Sequence, residues 1–333
     1  MVNNIVNRAL EKLNLGRIQW DWREQITPNE LDGKLTIVID DKRIELGALV
    51  KREVHRHNLL KINELKNEYF QNFILIGDII NQKMRGALRE NKINYIDGGG
   101  NAYLDLTQIF IFIEKEEREK KQNEQIQPGT GRLFGTGGLK IIFGLLVLDD
   151  LINKPYRDIA EYTDTALGTV KNVLDLLKIN GFIIYINKDT WKLKDKKKLM
   201  ERWITGYEEK LKNNLVLGKY NLRNKKWDEL NLNRETLWGG EPAAEILTKY
   251  IVPQIFTIYT TDNRVDFIRN YQLLPDPNGN VNVYEKFWNF ELKEFDKTAP
   301  PLLIYADLLQ TAEPRNLETA KIIYERYLQH KFE

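Results

Sequence analysis

The sequence predicts an α+β multidomain chain: an N-terminal mixed α/β unit, a central winged helix-turn-helix and a C-terminal α+β unit. Three observations carry this. β-Branched runs alternate with helical spacing over 35–113. The order helix, short helix, turn, longer helix, strand, turn, strand runs through 138–198. Basic charge collects in the middle of the chain and acidic charge at its end.

The first unit is expected over 1–114. An opening amphipathic helix precedes Leu35–Asp40 and Arg43–Val50, two β-branched runs that read as a hairpin. Asn72–Ile76 is a short buried strand. Ile79–Asn91 has helical spacing, with Ile80, Met84 and Leu88 on one face. Ile93–Ile96, Ala102–Leu106 and Ile109–Ile113 are further strands, with Gly98, Gly99 and Gly100 as a sharp loop. The pattern is a strand–helix–strand unit in a mixed sheet, compatible with a restriction-endonuclease-like fold.

Residues 115–137 read as a linker, because a charge run and a polar, glycine-rich stretch bury too little surface to fold alone. The second unit, 138–226, opens with the apolar helix Leu139–Ile152. Pro155–Tyr162 is a short helix, and Thr163–Thr165 a turn and N-cap cluster. Ala166–Ile179 is a second long helix that stops at Asn180 and Gly181. Phe182–Ile186 and Trp191–Leu193 form a wing around a polar turn. The remaining 227–333 show helical patterning at Glu241–Ile251 and Leu317–Leu328. Strand-like runs occur at Gln254–Tyr259, Val281–Tyr284 and Leu302–Tyr305.

Charge distinguishes these segments. Residues 138–226 hold 18 Lys+Arg against 11 Asp+Glu, a net of +7, whereas 227–333 hold 11 against 17, a net of −6. One segment is thus suited to an anionic polymer. In the long helix, Val170, Val173, Leu174 and Leu177 form the buried face. Thr165, Leu167, Gly168, Thr169, Lys171 and Asn172 occupy the turn and the first exposed turns, where a recognition helix meets base edges. Ile159 and Ala160 are expected to let the two helices cross closely. Lys188, Lys192 and Lys194 on the wing suit phosphates, continued by Lys196–Lys198. A winged helix used only for protein contact is the alternative.

Composition narrows the chemistry. The chain has no cysteine and no serine, which removes disulfides, thiolate metal sites and Cys or Ser nucleophiles. Three scattered histidines do not suggest a metal site, and no cofactor is expected. No apolar window is long enough for a membrane span, and no secretory signal is visible, so cytoplasmic residence is expected.

At the third unit the sequence resembles a known family. Trp238–Ala244 (WGGEPAA), Leu274–Val281 (LPDPNGNV), Ala299–Leu309 (APPLLIYADLL) and Pro314–Glu318 (PRNLE) are similar to blocks of the AbiEi-like antitoxins of type IV toxin–antitoxin systems. In the first unit, Tyr95–Leu104 (YIDGGGNAYL) resembles the same family's glycine-loop segment. The resemblance spans about 73–328. It implies a transcriptional regulator with a winged helix and a C-terminal antitoxin domain. It also implies autorepression and a nucleotidyltransferase-type toxin as partner. Within these blocks Glu241, Asp276, Asn280, Asp307 and Arg315 stand as interface candidates, Asp307 and Arg315 alternatively as a salt bridge. Pro275–Asn280 reads as a turn. Glu241 and Pro242 fit the first turn of a helix whose free N–H groups could alternatively hold an anion.

Two further classes stay open. A metal-dependent nuclease needs an acidic pair and a lysine. Asp40, Asp41 and Lys42 fit the short half but also a charged turn. Asp97 and Asp105 flank the glycine loop without a following Glu/Asp-x-Lys, and Glu114–Glu116 has glutamate where lysine is needed. A nucleotidyltransferase lacks its Gly-Ser loop and Asp-x-Asp pair here, and Gly98–Gly100 lacks a P-loop lysine. The expected protein therefore has no catalytic residues and binds double-stranded DNA, with a homodimer matching a palindromic site. A nuclease-derived effector and a protein-interaction scaffold are the rival readings.

Overall fold

A computed structural model describes residues 2–13, 15–16, 18–25, 30–39, 42–69, 72–107, 109–115, 130–187, 190–222 and 226–332. The chain is α+β with several sheets and divides into two compact units, Met1–Gln122 with Ala312–Leu317, and Asn123–Thr311 with Glu318–Glu333. No described helix is long and apolar enough to cross a membrane.

The first unit is a mixed sheet whose strands lie in chain order: β1 (Gln19–Glu24), β2 (Gly33–Ile39), β3 (Lys42–Glu53), β4 (Phe73–Ile79), β5 (Tyr95–Asp97), β6 (Ala102–Leu106) and β7 (Ile109–Ile113). The three central strands β3, β4 and β5 are parallel and the outer pairs antiparallel. Helix α1 (Val2–Lys12) places Ile5, Val6 and Ala9 against Leu46, Ala48, Val50, Ile74 and Ile76. Alternation sends Phe73 and Leu75 to the other face. The parallel crossovers that join β3 to β4 and β4 to β5 contain α2 (Leu59–Tyr69) and α3 (Gln82–Glu90). β1 and α2 were not legible in the sequence. The helix expected over Ile79–Asn91 starts later, because Asn81 caps it by accepting from the Met84 N–H at 2.9 Å. The Asp40–Asp41 turn and Glu116 lie outside the described residues.

The second unit opens inside the segment expected to be a linker. Helix α4 (Thr130–Leu133) and the start of α5 (Thr136–Val147) fall there, with Leu133 and Phe134 buried. Glycine-rich composition hid these two anchors. A side chain at Gly138 would lie 2.0 Å from the Leu133 carbonyl, so the α4–α5 corner requires glycine. There follow α6 (Tyr156–Tyr162), α7 (Leu167–Ile179), β8 (Ile183–Asn187), β9 (Thr190–Leu193) and α8 (Lys196–Gly206). β8 and β9 form a two-stranded antiparallel ribbon.

The C-terminal sheet has the order β11 (Thr236–Gly239), β12 (Phe256–Thr260), β14 (Val281–Glu285), β10 (Val216–Asn221), β13 (Leu274–Pro275), with β12 and β14 parallel. β10 belongs to this sheet, although its residues fall within the 138–226 expected for the second unit. Around it lie α9 (Gly240–Thr248), α10 (Arg264–Tyr271), α11 (Pro301–Thr311), α12 (Pro314–Ile323) and α13 (Gln329–Phe332). The strand expected at Leu302–Tyr305 is helix α11. An apolar run buried on every side has no period to separate strand from helix, and Pro301 at the first helical position is the overlooked sign. One aromatic core joins α5 and α8 to the strand ends: Phe143 stacks on Trp203 at 5.2 Å and meets Phe287 at 5.0 Å.

Candidate nucleic-acid interface

The interface is built on the crossing of α6 and α7 over α5. Val170, Val173, Leu174 and Leu177 of α7 are 0–3% exposed, as their spacing requires. Ile159 of α6 is fully buried with them. A further small residue lies at this packing, Gly144 of α5. A side chain there would meet the Thr163 methyl at 2.6 Å and Leu151 at 3.0 Å. Thr163 itself is buried, donates to the Ile159 carbonyl at 2.6 Å and lies 3.0 Å from the Thr165 hydroxyl. These threonines hold the turn; Ala166 is the N-cap, and no side chain caps α7. Asp164 adopts a left-handed conformation, φ 47°, and its carboxylate accepts from Lys140 Nζ at 2.7 Å.

The opposite face of α7 is open. Leu167 is 48% exposed, a side chain at Gly168 would meet nothing within 4 Å, and Lys171 and Asn172 are exposed. Neither Lys171 nor Asn172 has a hydrogen bond or ion pair among the described residues. Thr169 is half-buried.

The ribbon lies at the far end of α7. Trp191 meets Tyr185 at a tilt of 39° with ring centres 3.6 Å apart and carries the Lys178 ammonium 3.9 Å over its face. Asn153 clamps it from the loop after α5, donating to the Trp191 carbonyl at 3.2 Å and accepting from its N–H at 2.8 Å. Lys192 and Lys194 project outward, exposed. Lys188 lies outside the described residues. Lys196 turns back to Asp149 at 2.8 Å, so it holds the ribbon's exit rather than facing solvent. Burial works to raise the Asp149 carboxyl, but Lys196, with Lys331 and His330 behind it, outweighs this and holds it below its ordinary value.

The motif residues of the C-terminal region behave differently. Glu241 is 3% exposed and accepts from the N–H groups of Gln254 at 2.6 Å and Ile255 at 3.2 Å. Asp307 is 4% exposed and accepts from Lys212 at 2.7 Å, Tyr259 at 2.8 Å and Tyr207 at 3.1 Å. The expectation that these two face a partner is corrected, since both are interior and committed. Asp307 does not pair with Arg315, whose Nε donates to Glu313 at 2.9 Å. Burial first, and the Asp307 carboxylate second, push both tyrosine hydroxyls well above their ordinary value, so they remain donors. A cleft of about 250 Å³ opens beside this network, lined by Lys212, Asn282, Tyr284 and Gln310 among others. Asp276 and Asn280 bracket the expected turn. Asp276 accepts from the Asn278 N–H, and Asn280 Nδ2 reaches the Gln254 carbonyl at 3.4 Å.

In the first unit Asp97 is the hub of its own loop. Its Oδ1 accepts from the Gly99 and Asn101 N–H groups, both at 2.9 Å, and it is 2% exposed. Burial raises this carboxyl despite those bonds. Gly100 closes the loop at φ 84°. Among the described residues no group of three His, Asp or Glu side chains is placed to hold a metal ion.

No curated protein and no solved structure matches the chain. The glycine-loop block lies outside the family match over 192–329, as do α5, α6, α7 and β8. Residues 192–329 match the family described as transcriptional regulator, AbiEi antitoxin, type IV TA system, the family whose blocks the sequence resembles.

Proposed function

We propose that the chain is a sequence-specific, double-stranded DNA-binding regulator of antitoxin type, with residues 138–198 acting as a winged helix-turn-helix. In this reading α7 enters the major groove and the β8–β9 ribbon is the wing. The observation that carries it is the unpartnered, exposed pair Lys171 and Asn172 at the start of a helix whose opposite face is fully buried. Asn pairs with an adenine edge and Lys with a phosphate or guanine. Thr165, Leu167, Gly168 and Thr169 line the same approach, and Lys192 and Lys194 reach flanking phosphates. The family match supports a regulator that acts with a toxin; a nucleotidyltransferase is the type we expect, with autorepression of its own operon. Asp276, Asn280 and Arg315, which keep partial exposure, are the remaining candidates for the toxin contact.

The test is a gel-shift titration on duplex DNA selected from a random pool. Lys171→Glu with Asn172→Ala is expected to weaken binding of the selected duplex about a hundredfold or more, to the level of unrelated DNA, while circular dichroism stays that of the parent. Unchanged affinity would sink the reading.

A further inference from the structure

The two edges of the seven-strand sheet differ in kind. β1 carries exposed Asp21, Arg23 and Glu24 along its outer run, the charges by which a sheet edge resists pairing. β7 is Ile109, Phe110, Ile111, Phe112, Ile113, with no charge, proline or bulge, and it pairs only with β6 among the described residues. In an antiparallel ladder every second residue turns its N–H and C=O away from the partner, so β7 presents free backbone groups outward. Ile109, Ile111 and Ile113 pack against the sheet's core, but Phe110 is 69% and Phe112 49% exposed on the other face. Their rings are already held. Phe110 meets Tyr103 edge-on at 6.3 Å, and the Arg89 guanidinium lies 5.2 Å over Phe112.

We propose that β7 is the seam of a homodimer, pairing antiparallel with β7 of a second copy across a two-fold axis at Ile111. The strand's own order names this occupant. It reads the same in both directions about Ile111, so the axis sets Ile111 against its equivalent, Phe110 against the second copy's Phe112, and Ile109 against Ile113. Each face keeps its chemistry: isoleucine continues the core layer and four phenylalanines close over the other side. Such an isologous contact is self-complementary. The flanks agree, because the same register sets Lys115 opposite Thr107 and brings no like charges together. A partner of unrelated sequence would have no reason to require this symmetry. The proposal stands independently of DNA binding.

The experiment is sedimentation velocity on the full chain at 5–100 µM (concentrations on the order of a typical dimer constant), with cysteine cross-linking. The parent is expected to sediment as a dimer, and Phe110→Glu with Phe112→Glu as a monomer with unchanged circular dichroism. Because the chain has no cysteine, Ile111→Cys supplies a single thiol. Facing Cα atoms about 4.5–5.5 Å apart are within disulfide reach. Mild oxidation is expected to give a covalent dimer with Ile111→Cys and not with Ile179→Cys. A monomeric parent overturns the proposal. So does a dimer that survives the double glutamate substitution, or equal cross-linking at both cysteine positions.

Discussion

Two lysine-bearing sites in the second unit use the same functional groups to opposite ends. On α7, Lys171 and Asn172 stand in solvent with no partner among the described residues. Beside α11, Lys212 is inside the fold with both Asp307 and Gln310 at 2.7 Å, and two tyrosine hydroxyls complete the carboxylate's shell. A solvated polar group can be lent to a ligand at small cost. A buried one is already bonded, and removing its partner exposes the full desolvation penalty. The first arrangement suits recognition and the second holds elements together. The contrast predicts that substitutions at α7 change binding without changing stability, and that substitutions at Asp307 do the reverse.

The largest effect is expected at Asp307. Asp307→Ala leaves the Lys212 ammonium and two buried hydroxyls without their acceptor, a loss of about 3–5 kcal/mol for breaking a buried pair. Denaturant titration measures it. A loss below about 1 kcal/mol would mean that water replaces the carboxylate, and that the site is more open than its burial indicates. Next is the α7 pair: Lys171→Glu with Asn172→Ala is expected to weaken duplex binding about a hundredfold or more, since one bidentate base contact carries about 1–3 kcal/mol and a charge is reversed. Its unfolding midpoint should not move. If the midpoint falls instead, α7 is a structural helix and the comparison collapses. Tyr259→Phe comes third. It removes one hydrogen bond to a charged acceptor, about 1.5–3 kcal/mol. It also tests the sign of the hydroxyl's titration. A tyrosine raised on folding contributes stability that is complete below its ordinary value near 10.0 and is lost as pH rises past it. The parent should therefore lose stability more steeply than Tyr259→Phe in alkaline titrations.

The sequence made one of these sites legible and misplaced the other, for the same physical reason. Helical spacing reports which residues lie on a common face. It separated Val170, Val173, Leu174 and Leu177 from Lys171 and Asn172 because α7 has one wet side. α11 has none: Leu302–Leu309 are all buried, so the run carries no period, and it was read as a strand. Asp307 within it looked like a polar residue available to a partner, because sequence cannot show that Tyr207 arrives from 100 residues away and Tyr259 from 48. Part of the crossing over α5 was missed likewise. Its further small residue, Gly144, lies on a different helix from the one searched. β7 was recognised as a strand, but whether a strand is an edge depends on the whole sheet order. The C-terminal family blocks were legible as text, and the match over 192–329 agrees with them; the Tyr95–Leu104 block lies outside it. What those blocks do was not legible, since Glu241 and Asp307 hold the fold rather than face outward.

The smallest effect separates two kinds of contact within the exposed site itself. Lys192 and Lys194 lie at the ribbon, exposed, at the far end of α7 from Lys171 and Asn172. Phosphate contacts add affinity for every sequence alike and appear as counterion release, with about 0.9 of a unit in the log–log salt slope per neutralised phosphate. Lys192→Ala with Lys194→Ala should therefore lower affinity for the selected operator and for unrelated duplex by the same factor, and reduce the slope by about two units. Lys171→Glu with Asn172→Ala should instead erase the difference between operator and unrelated DNA. Measuring both duplexes over a range of salt distinguishes the outcomes. A ribbon double variant that loses discrimination would move base recognition from α7 to the β8–β9 ribbon. A variant with no change in slope would remove the ribbon from the interface and leave α7 to hold the duplex alone.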